Sequence, residues 1–430
     1  MTISTLQFQT PSDSPIALKF YYSTQSNNNP DAQKNLDLLL KHTMSGFQNI
    51  EDIDTDIKNC QQVYQKFSAK KHFIHVGMGG SVLGAEVLIE ALAPLNSKVI
   101  FLNNLDADDI AQKLAQVDLA KSVIYLVSKS GGTLETHLMM QLLLNQLKLC
   151  AELKNKSENE LLKEFFIFAT DPKVGQMRKM ANELGITTLD IPTNLGGRFC
   201  AFSAVAFLPA LFAEINLSQF CQGAKVVKDF FHTKNKSQIM LDLANHLTAE
   251  YKKGKTQTVL MPYSSKLKSF THWFAQLWGE SLGKKNQQNQ AVGLTPIVAH
   301  GPADQHSLLQ LFMEGPKDKT YFFVKINETT KNFQGFKAEL SQKNLTQIVH
   351  AQLEGTMAAL QKENASMILM ETEQLSPKSL GMLMYFFEYL TVVTGAALSI
   401  DPYNQPGVES GKNLTWSILR DGKSPLLNKI

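Results

Sequence analysis

From Phe73 onward, short β-branched runs alternate with helical segments, and this rhythm restricts the possible folds more than any other feature. FIHVG (73–77), KVIFL (98–102), SVIYLVS (122–128), FFIFAT (165–170) and TTLDIP (187–192) read as strands. Helical stretches near 82–93, 107–117, 134–153 and 174–184 separate them. Such an order predicts a parallel sheet with helices on both faces. The rhythm then restarts. A helical stretch from about 218 to 254 precedes TVLMPY (258–263), a helix near 265–280 and IVAH (297–300). YFFVKI (321–326), a helix near 342–362, SMILME (366–371) and a helix near 377–398 complete the second unit. The expected class is α/β, in two parallel-sheet domains. An N-terminal helical segment covers 1–50, the first domain 51–215, the second 216–400, and a C-terminal helical tail 401–430. A length of 430 residues suits two such units.

Charge narrows the choice of partners. Lys plus Arg number 42 against 39 for Asp plus Glu, a net of +3, too even for a nucleic-acid or electrostatic membrane binder. Only Arg178, Arg198 and Arg420 carry guanidinium groups, so each arginine position draws notice. Cys60, Cys150, Cys200 and Cys221 form no C-x-x-C pair and show no zinc spacing, as expected of small core residues in a reduced cytoplasmic protein. The first fifteen residues lack the basic start and apolar stretch of a secretion signal. No metal site and no cofactor are expected.

Two turns stand out at strand ends. Gly77-Met78-Gly79-Gly80-Ser81 follows a strand and opens a helix, which bares backbone N–H groups for an anion. It departs from both the dinucleotide and the P-loop pattern, because Val82 occupies the third glycine position and Ala85-Glu86 replace the Lys-Ser/Thr pair. A ligand-free tight turn explains it equally well. Ser128-Lys129-Ser130-Gly131-Gly132-Thr133 is sharper: three hydroxyls, a lysine and two glycines suit a phosphate monoester at the carboxyl end of a strand.

Four further stretches are ambiguous when taken singly. Gly196-Gly197-Arg198 brings a fixed cation close to the backbone, as a surface loop arginine also would. Gln276 and Glu280 share one helical face, where a solvated glutamate is the simpler reading. Asp304-Gln305-His306-Ser307 opens a helix, and Asp304 or Ser307 can be plain caps. Gln405-Pro406-Gly407-Val408-Glu409 precedes Lys412, which could reach back into a cleft or stay in solvent.

Together and in this order, the six stretches from 77 to 412 resemble the glucose-6-phosphate isomerase family in its shorter bacterial form. The resemblance implies two sugar-isomerase domains and an aldose–ketose isomerase that needs no metal or cofactor. It implies a phosphate held on Ser81, Ser128, Ser130 and Thr133, with Gly80, Lys129, Gly131 and Gly132 nearby. It further implies Glu280 as the base moving a proton between C2 and C1, Arg198 as the cation beside the enediolate, and His306 and Lys412 assisting ring opening. Gln276 would hold the sugar, and Gln405 belongs to the substrate-binding set. Longer family members carry threonine at the position of Gly132 and a bulky residue at that of Gly131, so phosphate contacts here rely more on backbone N–H groups.

The resemblance also implies a homodimer with shared active sites and a small sugar phosphate as partner. The alternatives are a dual glucose/mannose 6-phosphate isomerase and, further off, a silent sugar-phosphate sensor. A sensor would be expected to lose Glu280, His306, Arg198 and Lys412. An amidotransferase needs an N-terminal nucleophilic cysteine, whereas Thr2 follows Met1.

Overall fold

The computed structural model describes residues 4–10, 13–21, 30–51, 53–232 and 237–422. Thirteen strands are described. β1 (Ser4–Thr10) and β2 (Asp13–Tyr21) come first, then β3 (His72–Val76), β4 (Val99–Leu102), β5 (Ser122–Val127), β6 (Phe166–Thr170) and β7 (Thr187–Asp190). These are followed by β8 (Gln257–Pro262), the two-residue strands β9 (Lys284–Lys285) and β10 (Ala291–Val292), β11 (Thr295–Val298), β12 (Lys319–Ile326) and β13 (Ser366–Thr372).

One sheet has the order β4-β3-β5-β6-β7 and is parallel throughout. Its central strand β5 is buried along its whole length, which is why SVIYLV is continuously apolar after Ser122 rather than alternating. The other sheet runs β1-β2-β13-β12-β8-β11, and its four later strands are parallel. The α/β reading therefore holds for both sheets.

The N-terminal segment departs from expectation. Within 1–50 a β-hairpin precedes the helix Pro30–Leu40, and β2 adds antiparallel to β13 from Ile16↔Thr372 to Tyr21↔Met367. Without β2, β13 would end the parallel sheet with a bare row of N–H and C=O groups. The alternation of Leu6 and Phe8, then of Ile16, Leu18 and Phe20, is the period-two signal that a helical reading overlooks. The expected long helix near 218–254 is seen as Leu217–His232 and Ser237–Lys252. The C-terminal helix covers Glu409–Asp421, and the last eight residues of the expected tail lie outside the described residues.

The helix Pro377–Ala397 runs through the core. By length and composition alone it could cross a membrane, but 94% of its most apolar window is buried inside the protein. It crosses Leu217–His232 at two glycines. A Cβ on Gly381 would lie 2.0 Å from the Phe220 carbonyl oxygen, and one on Gly223 2.0 Å from that of Lys378. Glu388, midway along the helix, is fully buried, and neither carboxyl oxygen has a hydrogen-bond partner among the described residues. Burial drives its pKa far above the usual carboxylate range, which favours the protonated form.

Candidate active site

Three chain segments meet at the carboxyl end of the first sheet. A Cβ on Gly80 would fall 2.2 Å from the carbonyl of Gly197 and 2.6 Å from the Arg198 nitrogen, so only glycine permits this approach. Gly79 has φ +54°, and a Cβ there would meet Gln276 Nε2 at 2.8 Å, on the helix Lys268–Leu282. The first turn is thus pressed between the arginine loop and the helix that carries Glu280.

Arg198 is 2% exposed and fully engaged. Its Nε donates to Ser281 Oγ at 2.6 Å, Nη1 to Gln405 Oε1 at 3.0 Å, and Nη2 to the carbonyls of Asn404 (3.0 Å) and Pro402. Nη1 also lies 3.5 Å from Glu280 Oε1. Burial lowers the guanidinium pKa while Glu280 and Asp401 oppose that shift, and the group stays charged. Gln276 Nε2 donates to the other Glu280 oxygen at 3.1 Å. The Glu280 carboxylate is therefore fixed from both sides, and it opens on a cleft of about 690 Å³ lined also by Lys284, Asp401, Asn404 and Gln405. Gln276 Oε1 is buried with no partner among the described residues, leaving an acceptor beside the carboxylate.

The second turn is built for close backbone approach. Gly131 has φ +64°, and a Cβ there would lie 3.0 Å from the Met177 nitrogen. Ser128 and Thr133 hydroxyls pair at 2.9 Å, Ser130 Oγ accepts from Gly132 N at 3.3 Å, and His137 Nε2 donates to the Gly131 carbonyl at 2.8 Å. Under the first turn, the buried His75 donates from Nε2 to the Ser81 carbonyl at 2.8 Å. Burial pulls the His75 pKa down to about 4, so the ring is neutral near pH 7.

A family profile described as Phosphoglucose isomerase matches residues 41–372 and 361–426. The chain belongs to this family. The glucose-6-phosphate isomerase of Campylobacter jejuni is 36% identical over 380 residues, 85% of this chain and 90% of that protein. A crystal structure of a hypothetical protein from Thermus thermophilus superposes with a TM-score of 0.84 at 29% identity, covering 91% of this chain and 95% of the other. A glucose-6-phosphate isomerase from Chlamydia trachomatis shares the fold, with a TM-score of 0.75 at 22% identity, over 96% and 89%.

Against the residue set that family resemblance implies, the structure brings Arg198, Gln276, Glu280 and Gln405 together, with Gly80 in backbone contact. The Lys129 ammonium donates to the carbonyls of Thr193 (2.8 Å) and Leu195 (2.7 Å) and braces the loop that delivers Arg198. His306, exposed on the turn Ala303–His306, and Lys412, exposed on the helix Glu409–Asp421, do not line the Glu280 cleft.

Lys284 is a site residue that the sequence reading passed over. Its Nζ donates to the Asn404 carbonyl and to Asn404 Oδ1 (3.1 Å). Burial first, then Arg198, lowers its pKa to about 8, against the pull of Asp401 and Glu280. The available signal was its place just past the end of the Glu280 helix, on β9. Among the described residues, no three His, Cys, Asp or Glu side chains group as a metal site.

Proposed function

We propose that the protein interconverts glucose 6-phosphate and fructose 6-phosphate by moving one proton between C2 and C1 of the open-chain sugar. The observation that carries this reading is the Glu280 carboxylate, fixed between Gln276 and the buried Arg198 at the mouth of a cleft. Glu280 takes the C2 proton, the C–H electron pair becomes the C1=C2 bond, and O1 takes the negative charge. Arg198 offers a cation that cannot titrate away, already in place beside that charge. Return of the proton to C1, with the O2 proton moving to O1, gives the ketose. Gln276 Oε1 is free to accept a sugar hydroxyl. Ser81, Ser128, Ser130, Thr133 and the N–H groups of the second turn hold the phosphate, which does not react and keeps the chain in register. Such a substrate belongs to the cytoplasm.

Glu280→Gln keeps the shape of the side chain but cannot accept the proton, so kcat falls by ~10²–10⁴. The test is a coupled assay run with fructose 6-phosphate and mannose 6-phosphate in parallel, with turnover expected for the first. Near-normal turnover of the variant would remove Glu280 from the mechanism.

The reading extends to a two-fold homodimer in which His306 enters the neighbouring site. Two features support it: His306 is exposed away from its own cleft, and Leu414, Trp416, Ile418 and Leu419 stand exposed on the C-terminal helix. Glu280→Gln chains mixed with His306→Ala chains under exchange then give hybrids with one intact site. Half the dimers are hybrid, so activity returns to roughly a quarter of wild type. Sites built within single chains would regain nothing.

A further inference from the structure

The two sheets share one topology. In the first, the strands in chain order occupy β4-β3-β5-β6; in the second, β11-β8-β12-β13 repeats that arrangement, with the earliest strand flanked by the next two. Open parallel sheets bind ligands in the crevice at the strands' carboxyl ends, where the winding reverses. In the first sheet that crevice lies between β3 and β5 and is formed by the turns at 77–81 and 128–133. In the second it lies between β8 and β12.

The local structure repeats as well. A 3-10 turn, Gly79–Ser81, joins β3 to the helix Leu83–Leu92, and a 3-10 turn, Ser265–Leu267, joins β8 to the helix Lys268–Leu282. The loop after β5 carries two serines, a lysine and a threonine ahead of a long helix. The loop after β12 carries Thr329, Thr330 and Lys331 ahead of the helix Leu345–Lys362.

A cavity of about 280 Å³ occupies this second crevice. Tyr263, Ser264 and Ser265 line it from the β8 side, and Thr329, Lys331 and Phe333 from the β12 side. The loop is folded against the helix that follows: Thr329 Oγ1 contacts Thr346 Oγ1 at 3.0 Å, and Asn332 Oδ1 accepts from Thr346 N at 3.3 Å. His350 Nε2 donates to the Ile326 carbonyl at 2.9 Å, which fixes its ring on the cavity wall. Tyr263 forms the floor, its hydroxyl held by Gln305 at 2.7 Å. Phe333 stands exposed at the rim. The lining includes a lysine and a histidine but no aspartate or glutamate. Apolar walls with a few convergent polar groups are the usual make-up of a small-molecule site.

We infer that this cavity is a second anion site, which takes a small phosphomonoester between Ser264 and Lys331 with its carbon skeleton against Tyr263 and Phe333. The inference leans on the proposed phosphate role of the turns in the first sheet, but the site itself is separate from the Glu280 cleft.

Equilibrium dialysis of the full chain with inorganic phosphate is expected to count two phosphates per chain. Lys331→Glu and Ser264→Asp are each expected to weaken one of the two by at least tenfold, leaving the KM for fructose 6-phosphate unchanged. Ser130→Asp is expected to remove the other. Glycerol 1-phosphate should bind the Lys331-sensitive site more tightly than phosphate does, because only the ester reaches the aromatic wall. Binding that ignores both Lys331→Glu and Ser264→Asp, whether of one phosphate per chain or of two, would overturn the inference. An ester no tighter than phosphate would overturn the ligand class. If instead the first-sheet reading fails, Ser130→Asp has no effect while the Lys331-sensitive site remains.

Discussion

At the scale of single residues, the site is organised around one guanidinium. Arg198 touches Ser281, Pro402, Asn404, Gln405 and Glu280, so it is both a charge and a fastener. The sequence made its charge legible, through the rarity of arginine and two preceding glycines. Its fastening role was not legible, because the partner segments lie some 80 and 200 positions away and only packing brings them near. Lys284 was missed for the same reason: nothing local marks Asn404 as its acceptor. Lys284 gives a pH prediction. Its ammonium pins Asn404, and so the segment whose Gln405 meets Arg198, as long as it is protonated, below about pH 8. Above that pH the pin is lost, with Arg198, Asp401 and Glu280 the charged groups facing it. The pH profile of kcat/KM should therefore fall on the alkaline side near 8, and Lys284→Arg, which does not titrate there, should move that fall upward. An unchanged limb in the arginine variant would show that Lys284 does not set it.

At the scale of elements, most of the longer strands and helices between 73 and 398 were readable from their patterns, whereas the helix Glu158–Phe165 and the two-residue strands β9 and β10 were not, and one expected helix proved to be two. The N-terminal hairpin escaped because its alternation is short and its reason for existing, the bare edge of β13, is visible only in the assembled sheet. The crossing of Leu217–His232 by Pro377–Ala397 was equally hidden, since it rests on two glycines with no motif around them. Gly381→Ala forces a methyl to 2.0 Å from the Phe220 carbonyl, so the helices must separate. Urea denaturation should show a loss of at least about 1–3 kcal/mol, the usual range for overpacking. The same substitution at Gly355, whose Cβ would meet nothing within 4 Å, should leave stability unchanged or slightly improved. Equal losses at the two positions would contradict a close crossing.

At the scale of the whole molecule, Glu388 links stability to pH. Its folded pKa lies above the unfolded value of 4.5 because the carboxyl is buried without a partner. The native state thus keeps a proton that the unfolded chain releases, so this residue's contribution to stability is fullest below pH 4.5 and declines as pH rises toward the folded pKa. The decline owed to this residue is about 1.4 kcal/mol per pH unit. Glu388→Gln cannot ionise in either state, so its stability relative to wild type should rise as pH is raised above 4.5. Parallel stability curves over that range would mean that Glu388 ionises alike in both states.

The pairing of β2 with β13 also has a consequence for how the protein is made. The hairpin leaves the ribosome long before β13, and Tyr21 meets its partner Met367 only after some 350 further residues have been made. That is a wait of roughly 20–70 s for about 350 residues at ordinary synthesis rates. During that time β3 to β7 can close their own sheet, while the second sheet lacks both β13 and a fixed edge. The opening residues therefore act as a late clasp on the second sheet, and a truncated nascent chain ending before Ser366 would carry an unpaired hairpin for chaperones to shield.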